Sequence, residues 1–104
     1  MRWVTLLLML CLARPALADC VILLHGLARS EASLIVMESA LEAEGFAVVR
    51  PGYPSTSASV EALAEAVLPH ALERCETGPV HVVTHSMGGL LLRYWIDRPG
   101  EPDR

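Results

Sequence analysis

At 104 residues and 11.3 kDa the chain is long enough for one small domain and no more. Hydrophobic residues make up 53% and charged residues 19%, with a mean hydropathy of +0.42, which excludes a disordered chain. Its basic residues are all arginines, 8 against 12 acidic residues, and the formal net charge of -4 gives no electrostatic reason to expect nucleic acid or an anionic membrane surface as a partner.

Met1–Ala18 has the layout of a secretory signal peptide. Arg2 supplies the positive start, Val4–Leu12 the apolar run and Ala16-Leu17-Ala18 the small-x-small cleavage site. The run is too short for a permanent bilayer span. A lipoprotein signal acting through Cys20 is disfavoured by Asp19, since such signals carry a small residue before the cysteine. The expected location is therefore the bacterial periplasm or the medium. Cleavage removes Cys11 and leaves Cys20 and Cys75, an even pair in an oxidising compartment; the alternative is two unrelated buried thiols.

Cys20–Gly26 is a continuous apolar run and reads as a central parallel strand, ending in His25-Gly26-Leu27. A helix follows, with Ser30 as its N-cap and Gly45 as its stop. Leu34, Met37 and Leu41 line one face and Glu31, Glu38 and Glu42 the other, so this helix is expected to pack on a sheet. Phe46–Val49 reads as the second strand and Pro51–Ser57 as a loop. The second helix runs from about Ser59 to Glu76 with Leu63, Val67 and Ala71 inward, and Pro69 should kink or break it.

The third strand begins at Pro79, is apolar and β-branched, and reads as buried on both faces. It meets a third helix, Met87–Asp97, with only His85-Ser86-Met87-Gly88-Gly89 between the two patterns. A strand that becomes a helix in so few residues forces its central residue into a strained conformation, lifting that side chain clear of the sheet beside the helix N-terminus. Close approach of strand and helix demands small neighbours, which Gly88 and Gly89 provide. Ser86 is thus a candidate nucleophile, with unpaired helix N–H groups facing any oxyanion it generates.

The βαβαβα order implies α/β architecture: a three-stranded parallel sheet flanked by helices. In such a sheet Cys20 starts the first strand, and Cys75 ends the helix that returns to the third. Both fall at the bottom edge, opposite Ser86, and a Cys20–Cys75 disulfide is expected, worth about 4 kcal/mol at best.

The stretch Thr84-His85-Ser86-Met87-Gly88 resembles the nucleophile elbow of the α/β-hydrolase family, and within it of small secreted bacterial lipases and esterases, with threonine in place of the first glycine of Gly-x-Ser-x-Gly. The resemblance implies a carboxylic ester hydrolase of lipase or esterase type, working through an acyl-enzyme on Ser86 with no metal or organic cofactor, on a small-molecule or lipid ester. It implies backbone N–H donors from Met87 and, through His25-Gly26-Leu27, from Leu27. His25, Gly26, His85 and Gly88 are then site-shaping residues. By the same fold-level analogy Leu27, Tyr53 and Met87 wall an acyl pocket.

The family's order of serine, then acid, then histidine is not completed, because no histidine follows Ser86. His81 reads as a packed core residue, His70 as solvated or half-buried. Asp97 lies about 16 Å down the third helix from Ser86. The resemblance therefore covers the mature chain, residues 19–104, but only the N-terminal half of the family's domain. The expectation is a fragment or early-terminated chain that is inactive by itself, its acid and histidine lying beyond Arg104. The alternative is a non-catalytic α/β-hydrolase-like module that binds an apolar ligand or a partner protein, or a decayed product. Oligomeric state is not legible from the sequence.

Overall fold

A computed structural model of the chain describes residues 18–76 and 78–98. The expected signal peptide and its cleavage site lie mostly outside the described residues. Three strands, β1 (Cys20–Leu24), β2 (Ala47–Val49) and β3 (Val80–Thr84), alternate with α1 (Ile35–Ala43, entered through a 3-10 turn at Glu31–Leu34), α2 (Val60–Arg74) and α3 (Met87–Asp97). All pairings are parallel, in the order β2-β1-β3, with Cys20 opposite both Ala47 and Val80. The three-stranded parallel sheet flanked by helices is the architecture expected from the sequence.

β1 is paired on both sides, and its five residues, apolar on both faces, are all buried. From β1 the chain steps to one side for β2, then back across to the other side for β3. Two crossovers of one hand in opposite directions place α1 and α2 on opposite faces. On one face Cys20, Ile22 and Leu24 pack with Leu63, Ala64, Val67, Leu68 and Ala71 of α2 and with Met87, Leu91 and Trp95 of α3. That is the core of the molecule. The alternate residues Val21 and Leu23 point to the other face, where they too are buried.

Local chemistry sets the element ends. Ser59 caps α2 by accepting the Ala62 N–H on its Oγ at 3.1 Å, and Gly45 takes φ +97° to stop α1. α2 continues through Pro69 rather than breaking there. The carbonyl that proline leaves without a donor belongs to Glu65, an exposed residue within reach of water. Ser30 precedes the 3-10 turn but makes no side-chain cap, and β1 ends two residues before Gly26.

Two expectations fail on the α1 face. β3 is not buried on both sides: Val83 is 36% exposed, and His81, expected in the core, is half exposed and bonds through Nε2 to Asp19 Oδ2 at 3.0 Å. β3 is an edge strand, and an apolar sequence does not reveal how many neighbours a strand has. α1 likewise buries none of its residues completely; Ile35, Val36 and Met37 are exposed. It leans on β2, with Glu38 pairing with Arg50 at 3.2 Å.

At the bottom edge the Cys20–Cys75 disulfide joins the start of β1 to the end of α2, with Cα atoms 5.6 Å apart and both residues buried. It ties the central strand to the helix that supplies more core residues than any other element.

Candidate active site

The top edge of the sheet carries the residues singled out in the sequence. β3 ends at Thr84, and His85 N–H is still bonded to Leu24 O at 3.0 Å, so the ladder holds the chain up to the turn. Ser86 then takes φ 52° and ψ -119°, a combination that costs a non-glycine residue about 1–3 kcal/mol. The next amides close the turn at once: Gly88 N–H bonds to His85 O at 3.0 Å and Gly89 N–H to Ser86 O at 2.9 Å. α3 begins at Met87, so the exposed Ser86 stands at a helix N-terminus.

The two glycines differ in how strictly they are required. A β-carbon on Gly88 would lie 2.5 Å from Leu24 O and 2.9 Å from Leu24 Cβ, whereas one on Gly89 would meet Thr84 Oγ1 at 3.3 Å. The close approach is therefore between the first turn of α3 and the end of β1. Thr84 fits where a smaller residue is usual because its hydroxyl faces Gly89.

The loop after β1 lies directly against this turn. A β-carbon on Gly26 would sit 2.8 Å from His85 Nδ1 and 3.1 Å from Ser86 Cβ. Only glycine lets the two segments come so near without displacing the His85 ring. His25 is fully buried, its Nδ1 3.0 Å from Gly26 O, and its ring stacks on Tyr53 with centroids 3.8 Å apart. It faces the phenol ring and is not a base in the open. Ala28 takes φ 57°, and its N–H bonds to Ser55 Oγ at 2.9 Å. Among the described residues no acceptor takes the N–H of Leu27 or of Met87.

The structure thus gathers Ser86, His85, Gly88 and the His25-Gly26-Leu27 loop at one edge, and leaves the other candidates elsewhere. His70 is exposed on α2 near Glu73, His81 pairs with Asp19 at the bottom of the sheet, and Asp97 faces Arg93 near the far end of α3. Among the described residues no cluster of His, Cys, Asp and Glu could hold a metal ion.

Tyr53 is not an open pocket wall. It is buried, stacked on His25, and donates its hydroxyl to His25 O. Burial pushes its phenol up to about 12. Ser55, also buried, was not singled out from the sequence, because a serine within a Pro/Ser/Thr loop carries no local sign of its partner. An open groove of about 540 Å³ lies instead between α2 and α3, around Val60, Glu61, Leu90 and Tyr94, and does not include Ser86.

A parallel sheet flanked by helices, with a strained serine on a strand-to-helix turn and glycines at the close approaches, defines a protein of the α/β-hydrolase class. The α/β-hydrolase family model matches residues 21–99, most of the chain, and the protein belongs to that family. The family's activity is hydrolytic, and its usual substrates are small molecules. No curated protein and no solved structure matches the chain. Among the described residues no helix is long and apolar enough to cross a membrane.

Proposed function

We propose that the chain carries the nucleophile elbow of a serine hydrolase acting on carboxylic esters, of lipase or esterase type, with Ser86 as the nucleophile. The observation that carries this reading is the backbone of Ser86, strained at φ 52° between an edge strand and a helix N-terminus. Ser86 Oγ adds to the ester carbonyl carbon, and the carbonyl π pair moves onto oxygen. The oxyanion accepts the N–H groups of Leu27 and Met87, neither of which has an acceptor among the described residues. Collapse of the adduct expels the alcohol and leaves an acyl-serine, which water cleaves. The serine proton needs a base, and no histidine follows Ser86 in the sequence. In the assay that role falls to hydroxide.

The test is covalent labelling of the purified chain by a p-nitrophenyl phosphonate at alkaline pH, mapped by peptide mass. An elbow and two oxyanion donors without a general base retain roughly 10³-fold acceleration over solution. Label is therefore expected on Ser86 ahead of the exposed Ser30, Ser33 and Ser57, and is lost in Ser86→Ala. Label spread evenly over these serines defeats the assignment and favours the second reading, a non-catalytic binding module. Export to the periplasm or medium is part of the proposal, supported by the buried disulfide. Intact mass from the native host, before and after reduction, checks it: a chain beginning at Asp19 and gaining two hydrogens on reduction is expected.

A further inference from the structure

We propose that Tyr53 and Ser55, from the loop between β2 and α2, are positioning residues that aim the Leu27 N–H at the Ser86 oxyanion. The inference rests on the reading of Ser86 as an acyl-transfer nucleophile.

Three consecutive peptide units carry it. The Tyr53 hydroxyl donates to the carbonyl of His25, which fixes the His25–Gly26 peptide. Ser55 Oγ accepts the N–H of Ala28 at 2.9 Å, which fixes the Leu27–Ala28 peptide. Between them is the Gly26–Leu27 peptide, whose N–H is the expected donor. Its carbonyl accepts Arg29 N–H at 3.2 Å and lies 3.0 Å from His25 Nδ1. In a planar trans peptide the N–H points opposite to the C=O. Holding Gly26 O therefore aims Leu27 N–H the other way, in a loop whose Gly26 abuts Ser86.

The clamp is built rather than incidental. Tyr53 and Ser55 are both buried, at 8% and 6% exposure, although their loop is otherwise mostly open to solvent. Ala28 adopts a left-handed conformation that an alanine does not choose unaided, and the Ser55 bond is what it gains. Stacking of Tyr53 on the His25 ring adds a second, apolar hold on the same loop. Oxyanion donors act because they are already oriented when charge develops, so residues that orient a donor are expected to show in the rate of acyl transfer.

The test separates oxyanion stabilisation from nucleophile exposure. The full-length chain with S86C, kept oxidised at Cys20–Cys75, is treated in parallel with p-nitrophenyl acetate and with iodoacetamide. Modification at position 86 is followed by peptide mass. In the first reaction the thiolate at position 86, its proton lost to buffer, adds to the acetate carbonyl and the π pair moves onto oxygen; the pair returns as p-nitrophenolate leaves, giving a thioester. In the second, sulfur displaces iodide at a saturated carbon and no oxyanion forms. The ratio of the two rates is expected to exceed that of N-acetylcysteine. It should fall about threefold to tenfold in S86C/Y53F and in S86C/S55A, the cost of losing one neutral hydrogen bond, with alkylation unchanged.

A ratio that stays high in both double variants overturns the clamp and leaves Ser86 as nucleophile. Alkylation that falls in step with acylation assigns the two residues to the fold and not to the donor, which also overturns the proposal. A ratio in S86C no higher than that of N-acetylcysteine removes the nucleophile reading itself, and the clamp with it.

Discussion

Gly88 and Gly89 are adjacent residues in the first turn of α3, which makes them a controlled pair. Each Gly→Ala change gains up to about 1 kcal/mol of helix propensity, so that contribution largely cancels between them. Sterically they diverge. A β-carbon at position 88 would stand 2.5 Å from Leu24 O and 3.0 Å from Leu24 C. An unstrained carbon–oxygen approach is about 3.3 Å, so roughly 0.8 Å must be found. Leu24 ends the central strand, paired to β3 at Thr84, and cannot yield without disturbing the ladder. At position 89 the first obstacle is Thr84 Oγ1 at 3.3 Å, a side-chain atom that gives by a small rotation. Overpacking against a fixed wall costs typically 1–3 kcal/mol, and this contact belongs at the upper end. Net of the propensity gain, Gly88→Ala is therefore expected to lose about 2 kcal/mol, and Gly89→Ala to stay within about 1 kcal/mol of wild type. Urea titration followed by far-UV circular dichroism, without reductant, reads both. For a domain of this size the first change lowers Tm by about 8 to 16 °C. A Gly88→Ala variant within 0.5 kcal/mol of wild type, or a Gly89→Ala variant equally damaged, would refute the close approach of α3 to β1.

Reduction of Cys20–Cys75, which closes a loop with a sequence separation of 55, should cost up to about 4 kcal/mol in the same titration. Joined in a disulfide, the two cysteines offer a thiol-reactive dye no thiol until they are reduced; labelling of the native oxidised protein at either position contradicts the bond. Tyr53 makes stability depend on alkaline pH. Burial pushes its phenol up to about 12 in the folded chain, from 10.0 when it is exposed in the unfolded one, so the native state holds the proton more tightly. The resulting stabilisation is complete below about pH 10 and is lost as pH rises towards 12. Tyr53→Phe should flatten that part of the stability–pH curve, while an unchanged slope would place the effect elsewhere. His81→Ala removes an exposed pair with Asp19 and should change stability by less than about 1 kcal/mol; a loss of 3 kcal/mol would return His81 to the core.

Much of the architecture is written in local sequence. Short apolar runs alternating with helical spacing determine a parallel three-stranded sheet, because parallel strands need crossovers and both ends of each element carry their own stop signals. The Met87–Asp97 helix, the Ser59 cap and the Gly45 stop follow from such signals. So does the strained turn at Ser86, since a strand pattern and a helix pattern without a linker leave one geometry. The disulfide follows from topology, given the element order.

Tertiary structure alone decided what each element faces. β3 has the composition of a buried strand, yet it lies at an edge, and His81 in consequence meets Asp19 and solvent. α1 has a helix's apolar stripe that the sheet covers only in part. The stacking of Tyr53 on His25 and the bond from Ala28 to Ser55 join residues 28 and 27 positions apart. No local pattern encodes such partners, because a side chain in a loop has no period to reveal where it points. Sequence places Ser86 on its turn through short-range backbone geometry; the contacts that hold the neighbouring loop against it arise only when two distant segments pack together.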